Sequence, residues 1–291
     1  MRILVSTSND PYFNAALESK LFDDLAPREE FMLLWVNRPS LFIGRFQNPW
    51  AETYVSQVLK DQLPLIRRIS GGGAVYHDEG NLNVSVMGPG QNFNKKIRME
   101  PLITFLKHKG HNVQISDRGD GLLFESQQVF KFSGSAFKYR KNSSLHHFTV
   151  LLNANLVHLW QYLRSTHPEA IQSKSIQSRR HQVKNLGYHQ VFEFIHEWCT
   201  FLGKKIESTH DFGVEPAVMD RFKSHQWLFG ETPDFQFYSA DRQHYLTAKN
   251  GHFISEDQHY LDQLWKCEHV EQMAQSEKIR GVYNFSLFKT I

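Results

Sequence analysis

Three consecutive glycines, Gly71 to Gly73, stand between two strand-like runs, LPLIRRIS and AVYH, and constrain this chain more than any other feature. Glycine costs backbone entropy in a strand and offers no side chain to pack, so a triplet marks main chain that another body approaches closely. The familiar phosphate loops do not account for it. A Walker loop needs G-x-x-x-x-G-K-[ST], which the chain lacks; a dinucleotide fingerprint must open a helix, whereas a strand follows here. What remains is a strand–glycine–strand bend. Such a bend either turns a corner in a curved sheet or offers bare amides to an anion or a flat ligand.

The neighbours favour a ligand. Arg68 and Ser70 are two residues apart, so in extended chain both project from one face. A guanidinium there offers a fork suited to phosphate or carboxylate. In isolation Arg68 would read as an ordinary surface cation; beside the glycines an anion site accounts for it better. Asn81 follows where a hairpin through Asp78-Glu79-Gly80 would return it to the same area. A second cluster lies at FKFSGSAFK. Alternation places Lys131 and Ser133 on one face of that strand and Phe130 and Phe132 on the other. A solvated outer face would explain a lysine there, yet Ser-Gly-Ser directly after it is unusual for packing. His146-His147 opens the next strand, which brings His147 toward the same pocket. There is no H-E-x-x-H and no G-x-S-x-G, so neither a zinc-protease nor a serine-hydrolase pattern is present.

Elsewhere the pattern predicts a helix over 10–24, capped by Asp10 with Pro11 in its first turn, and helices over 97–109, 155–164 and 191–202. FMLLWV and SLFIGRF read as a hairpin through Asn37-Arg38-Pro39, and AVYH and NLNVSVM as a second. NVQIS, GLLF, VFKFSGSAFKYR and HHFTVLLN form a run of short strands. Helices and strand groups are segregated rather than alternating, which points to an α+β domain with a largely antiparallel sheet. Beyond Trp227 the chain becomes polar and turn-rich, with a weak hairpin at Asn250-Gly251 and a polar helix near 258–274. The expected division is a catalytic domain over 1–228 and a small appendage over 229–291.

The balance of 33 basic and 30 acidic residues, with no basic block, argues against nucleic acid and is compatible with docking an acidic partner. Two cysteines, Cys199 and Cys267, make a disulfide framework improbable. No apolar run reaches the length of a membrane span, and the N-terminal stretch lacks a signal-peptide core. A cytoplasmic protein is expected.

RRISGGGAVYHDEGN, followed about fifty residues later by KFSGSAF, resembles the lipoate–protein ligase A family. DPYFNAALE, FIGRFQNPWAE at 42–52, HHFTVLLNANL at 146–156 and SKSIQSRRHQVKNL at 173–186 extend the likeness in order from residue 10 to about 235. The resemblance implies the fold shared by lipoate and biotin ligases and class II aminoacyl-tRNA synthetases: a mixed, mainly antiparallel sheet flanked by helices. It implies ATP-dependent activation of lipoate to lipoyl-adenylate, with Mg2+ accompanying the nucleotide. Transfer then goes to a lysine of apo lipoyl domains, in the E2 subunits of 2-oxoacid dehydrogenases or the glycine-cleavage H protein. Lys131 becomes the central catalytic group. Arg68, Ser70, Gly71, Gly72, Gly73 and Ala74 line the acyl and adenylate channel, and Asn81 lies on the phosphate side. Ala136 and His147 border the acyl tail; Ser133 and Arg179 contact the ligands. Asp120 serves near the nucleotide or its Mg2+. Residues 173–185 resemble a loop that covers the adenylate.

The chain departs from the family at Gly119-Asp120, at Ser175, and at Phe148, whose ring is expected to shorten or redirect the acyl slot. A monomer is implied. The alternatives are a transferase that draws octanoyl or lipoyl groups from acyl carrier protein or a pre-formed adenylate, and a non-catalytic lipoate-binding paralogue.

Overall fold

The computed structural model describes residues 1–90, 94–165, 170–209, 212–238, 245–250 and 252–254. Its centre is a six-stranded sheet. In spatial order this runs β10 (Ser135–Tyr139), β11 (Ser143–Leu151), β6 (Asn81–Pro89), β2 (Phe31–Val36), β1 (Arg2–Val5) and β13 (Ile206–Ser208). β1 lies parallel to β2 and β13, and the other pairs are antiparallel. Every residue of β2 is buried, because Met32, Leu34 and Val36 enter one core while Phe31, Leu33 and Trp35 enter another. That is why FMLLWV shows no polar alternation.

Helices close both faces. α4 (Lys95–His108) and α6 (Val191–Phe201) supply Met99, Leu102, Phe105, Phe194 and Trp198 to one core. α1 (Pro11–Asp23) and α7 (Pro216–Lys223) cover the other with Ala16, Leu17, Leu21 and Phe222. The Asp10 carboxylate accepts the amides of Tyr12 and Phe13, so α1 starts where the sequence predicts. The architecture is mixed α+β, with sheets flanked by helices.

The hairpins expected through Asn37-Arg38-Pro39 and through Asp78-Glu79-Gly80 are absent. β2 has β1 on one edge and β6 on the other, so it has no free edge for β3 (Ser40–Ile43). β3 instead lies in a separate sheet between β4 (Leu65–Arg67) and β5 (Val75–His77). Likewise β5 and β6 belong to different sheets, and Asp78–Gly80 is a crossing rather than a hairpin turn. At the first crossing the side chain of Asn37 is fully buried and bonds to Asn14 and His77, which replaces ladder pairing. A third crossing is Gly134, between β9 (Gln128–Ser133) and β10; β9 belongs to a sheet with β7 (Val113–Ile115) and β8 (Gly121–Glu125). The seam where these crossings meet is where the cavities lie.

Arg67 fastens the seam to the rest of the body. It is fully buried and donates to the carbonyls of Gly44, Arg45, Gln47, Trp227 and Leu228 and to the Thr232 hydroxyl. Burial, with Arg45 nearby, lowers its pKa to about 9. Arg67→Ala would leave several buried carbonyls unpaired and is expected to lower stability by about 3 kcal/mol. A melting temperature within a degree of wild type would contradict this.

Past residue 229, β14 (Phe235–Tyr238) pairs with β12 (Ile171–Ser173) and with β15 (Tyr245–Lys249), which turns at Asn250 into β16 (His252–Ile254). Phe229 and Phe235 pack on Trp50 of α2 (Pro49–Glu52). The expected polar helix at 258–274 and Cys267 lie outside the described residues. Among the described residues no helix is long and apolar enough to cross a membrane.

Candidate functional site

The glycine bend is held from inside. Arg68 donates to the carbonyls of Gly71 (2.6 Å), Gly73 (2.7 Å) and Phe42 (3.3 Å) and to Ser70 Oγ (3.2 Å). The fork that suggested an anion grip is therefore spent on main chain, and it shapes the loop. Burial lowers the Arg68 pKa to about 10, against the raising influence of Glu18. Gly72 has φ +86°, and a Cβ on it would lie 2.9 Å from Ala136 Cβ and from Arg68 Nη2. A Cβ on Gly44 would lie 2.2 Å from the Gly72 carbonyl oxygen, so a second strand-end glycine is needed for the bend to close.

Behind the bend, Ser70 Oγ lies 2.6 Å from His147 Nε2, and His147 Nδ1 donates to Glu18 (2.8 Å). Ser85 donates to the same Glu18 oxygen, and Trp35 Nε1 donates to Ser85 Oγ. The arrangement resembles a serine–histidine–carboxylate relay. However, Ser70 is 1% exposed and borders neither cavity, so its hydroxyl is placed to support His147 and not to face either one. Burial pulls the Glu18 carboxyl upward, but His147, Ser85 and Arg68 outweigh it and hold the group below its ordinary range. With a folded pKa below the unfolded value of 4.5, this stabilisation is present above that value and lost as pH falls through the folded one. Glu18→Gln is expected to melt lower than wild type near neutral pH, with the gap closing toward strong acid. A gap independent of pH would mean that the carboxylate is not the ionised partner.

Lys131 comes from a bulge. Leu122 pairs with Lys131 and Gly121 with Ser133, so Phe132 is the extra residue on β9. A Cβ on Gly121 would meet the Phe132 ring at 2.6 Å; its absence lets that ring cross into the core. The ammonium then lies 3.1 Å from Asp120 Oδ1, which also accepts the Ser135 amide. Gly134 leaves room for the lysine stem, since a Cβ there would stand 3.2 Å from Lys131 Cε.

Two cavities, about 290 and 260 Å3, meet at this lysine. Lys131, Ala74, Gly134, Thr149, Ser178 and Arg179 border both. The first also holds Asn81 and Ser133; the second holds Arg68, Gly72, Gly73, Asp120, Ala136 and His147. Gly71, like Ser70, lines neither. Phe148 borders the second cavity but packs in the core shared with Val84, Phe132 and Val150. Asn81 Oδ1, Ser133 Oγ, Asn83 Nδ2 and His77 Nε2 are buried without a partner among the described residues. Asn81 and Ser133 border the first cavity, and Asn83 and His77 the second.

Residues 173–185 roof both cavities. The Ser178 hydroxyl accepts from the Ala74 amide (2.8 Å) and Gln47 (3.0 Å), and the Ser178 amide donates to the buried Glu52. Further along, the Lys131 amide donates to the Gln182 carbonyl and Lys184 to that of Lys131, so the roof pairs with β9 as a short parallel bridge. Gly44, Gln47 and Glu52 lay within a recognised motif but had no role from sequence. Glu18, Phe42 and Thr149 likewise lay within quoted motifs without a role, and Trp35 left no readable signal, because only the fold brings these side chains together.

No group of three or more His, Cys, Asp or Glu side chains is placed to hold a metal among the described residues. Asp120 already has the Lys131 ammonium as counterion. This donor set does not fit a protein-held Mg2+, and no step is derived through one.

The sequence profile described as "Lipoyl protein ligase A/B catalytic domain" matches residues 10–206. Among solved structures, P. falciparum LipL1 in complex with lipoate matches at 24% identity and TM-score 0.65, covering 87% of this chain and 82% of that one. Thermoplasma acidophilum Ta0514, a putative lipoate protein ligase with bound lipoic acid, matches at 20% identity and TM-score 0.61, covering 78% and 98%. A lipoate-protein ligase A bound with ATP matches at 20% and 0.61, covering 78% and 97%. With the profile spanning most of the chain and the fold shared, this protein belongs to the lipoate–protein ligase family, in its lipoyl protein ligase A/B catalytic-domain group.

Proposed function

We propose that the chain is an ATP-dependent lipoate–protein ligase. The observation that carries this reading is that one ammonium, Lys131, borders both cavities. The second cavity would take lipoate and the first the nucleotide. A carboxylate oxygen of lipoate attacks the α-phosphorus of ATP, the new P–O bond replaces the bond to pyrophosphate, and pyrophosphate leaves. Two anions meet in that step, and a preorganised cation between them lowers its barrier. Asn81 and Ser133 bring unpartnered polar atoms to the nucleotide side, and Asp120 steers Lys131. In the second step a lysine amine of the acceptor attacks the acyl carbonyl and AMP departs with the bonding pair.

The acceptors are apo lipoyl domains of E2 subunits or the H protein, met by a monomeric ligase. The occurrence of a T. acidophilum bipartite ligase in a study with its E2 lipoyl domain supports that class of partner. A transferase through a cysteinyl intermediate has less support: Cys199 is buried in α6, and burial raises its thiol to about 11. Incubation with lipoate, ATP and Mg2+ should release pyrophosphate, and adding an apo lipoyl domain should yield the lipoylated lysine. Modification only from octanoyl carrier protein would replace this reading with a transferase; lipoate binding without either reaction would make the protein a binding paralogue.

A further inference from the structure

One end of the lipoate cavity is lined by three rings. Trp35 and Phe42 have centroids 5.9 Å apart, Trp35 and His77 5.8 Å, and Phe42 and His77 4.6 Å. The strand register places this end away from Lys131. Trp35 pairs with Asn83 and Asn83 with Thr149, two inter-strand steps that span roughly 10 Å. Thr149 adjoins Lys131 through Gly134, whose amide donates to Thr149 Oγ1. A carboxylate held at Lys131 therefore sends the far end of a medium-length chain toward the rings.

The proton on His77 can be placed by following hydrogen bonds inward. Asn14 Nδ2 donates to the carbonyls of Ser8 (2.9 Å) and Val36 (3.1 Å), which fixes the orientation of that amide. The same nitrogen offers no lone pair and lies 2.9 Å from the Asn37 amide, so the atom facing it must be Asn37 Oδ1, which shares one of its two hydrogens. Asn37 Nδ2 is left to donate to His77 Nδ1 at 3.1 Å. His77 Nδ1 must then accept, and the ring carries its hydrogen on Nε2. Burial, with Arg68 and His147 nearby, lowers the His77 pKa to about 3, so the ring stays neutral. Nε2 is buried and has no partner among the described residues. The cavity end thus combines three aromatic rings with one unpaired N–H donor, buried at the edge of a ring that borders the cavity.

Divalent sulfur suits that combination. It packs against ring edges and accepts a weak hydrogen bond, whereas a terminal methyl packs but leaves the donor unpaired. We propose that His77 is the specificity-determining residue of the acyl cavity, its Nε2–H selecting acids that end in ring sulfur over acids that end in a methyl group. This deepens the proposed function and rests on the second cavity being the acyl site.

The test is calorimetric binding of lipoate and octanoate to the full chain, as wild type and as His77→Phe, His77→Leu and His77→Gln. Wild type is expected to bind lipoate about tenfold more tightly than octanoate. His77→Phe and His77→Leu remove the donor and are expected to bring the ratio near one, through weaker lipoate binding with octanoate binding kept. His77→Gln, which retains an N–H, is expected to keep part of the preference. Equal wild-type affinities overturn the proposal without any variant. So does an unchanged ratio in whichever donor-free variant still melts cooperatively. Wild type that binds neither acid overturns the acyl-site reading and this inference together, whereas tight but indiscriminate binding overturns this inference alone.

Discussion

Lys131→Ala is expected to slow pyrophosphate release at least a hundredfold, a loss on the order of 3 kcal/mol or more of transition-state stabilisation. The ammonium is a cation at the junction of the two cavities, which Arg179 also borders, and it is steered there by Asp120 and by the bulge at Phe132. Lys131→Arg is expected to rescue little, because a planar fork needs more room than the stem has beside Gly134. Single-turnover release of pyrophosphate from lipoate and ATP checks both. Turnover of the alanine variant within tenfold of wild type would mean that no charge develops at this ammonium.

Gly72→Val is expected to abolish lipoate binding and to lower the melting temperature. Two effects add. The backbone at φ +86° disfavours any L side chain and a β-branched one most, and a Cβ would press on Ala136 and on the Arg68 nitrogen that holds the loop. Together these cost about 3 kcal/mol or more. Calorimetry with lipoate beside a thermal melt separates the two: a folded variant with unchanged affinity would show that the acyl chain does not pass this bend.

What the sequence revealed was mostly local. Asp10, Pro11 and the apolar spacing sufficed for α1, and alternation sufficed to separate Lys131 from Phe132. The pairing of strands was not local. Nothing in FMLLWV or SLFIGRF records that β1, from the first residues of the chain, has taken the edge that a hairpin would use. Ladder competition is decided by the whole sheet. The same limit explains Arg68: an arginine beside glycines announces a site, but its acceptors are carbonyls whose positions depend on how the loop folds back. Glu18 closes the quoted stretch DPYFNAALE, yet its role was unreadable for a further reason. It sits in a helix buried on most sides, where a carboxylate has no signature until His147 arrives from β11.

The roof over the cavities is tethered at two places. At Gln182 to Lys184 it is bonded to the main chain of the residue that bears the ammonium, and Asn185 exchanges two hydrogen bonds with Ala154. Toward Ser178 it is bonded to Phe46, Gln47, Ala74 and Glu52, through the Ile176 amide and carbonyl and the Ser178 hydroxyl and amide. If the chain acts as proposed, release of the Ser178 side, which lies against Gly73 and Ala74, would open the glycine bend to an acceptor lysine, while the bridge at Val183 would keep Lys131 in its strand.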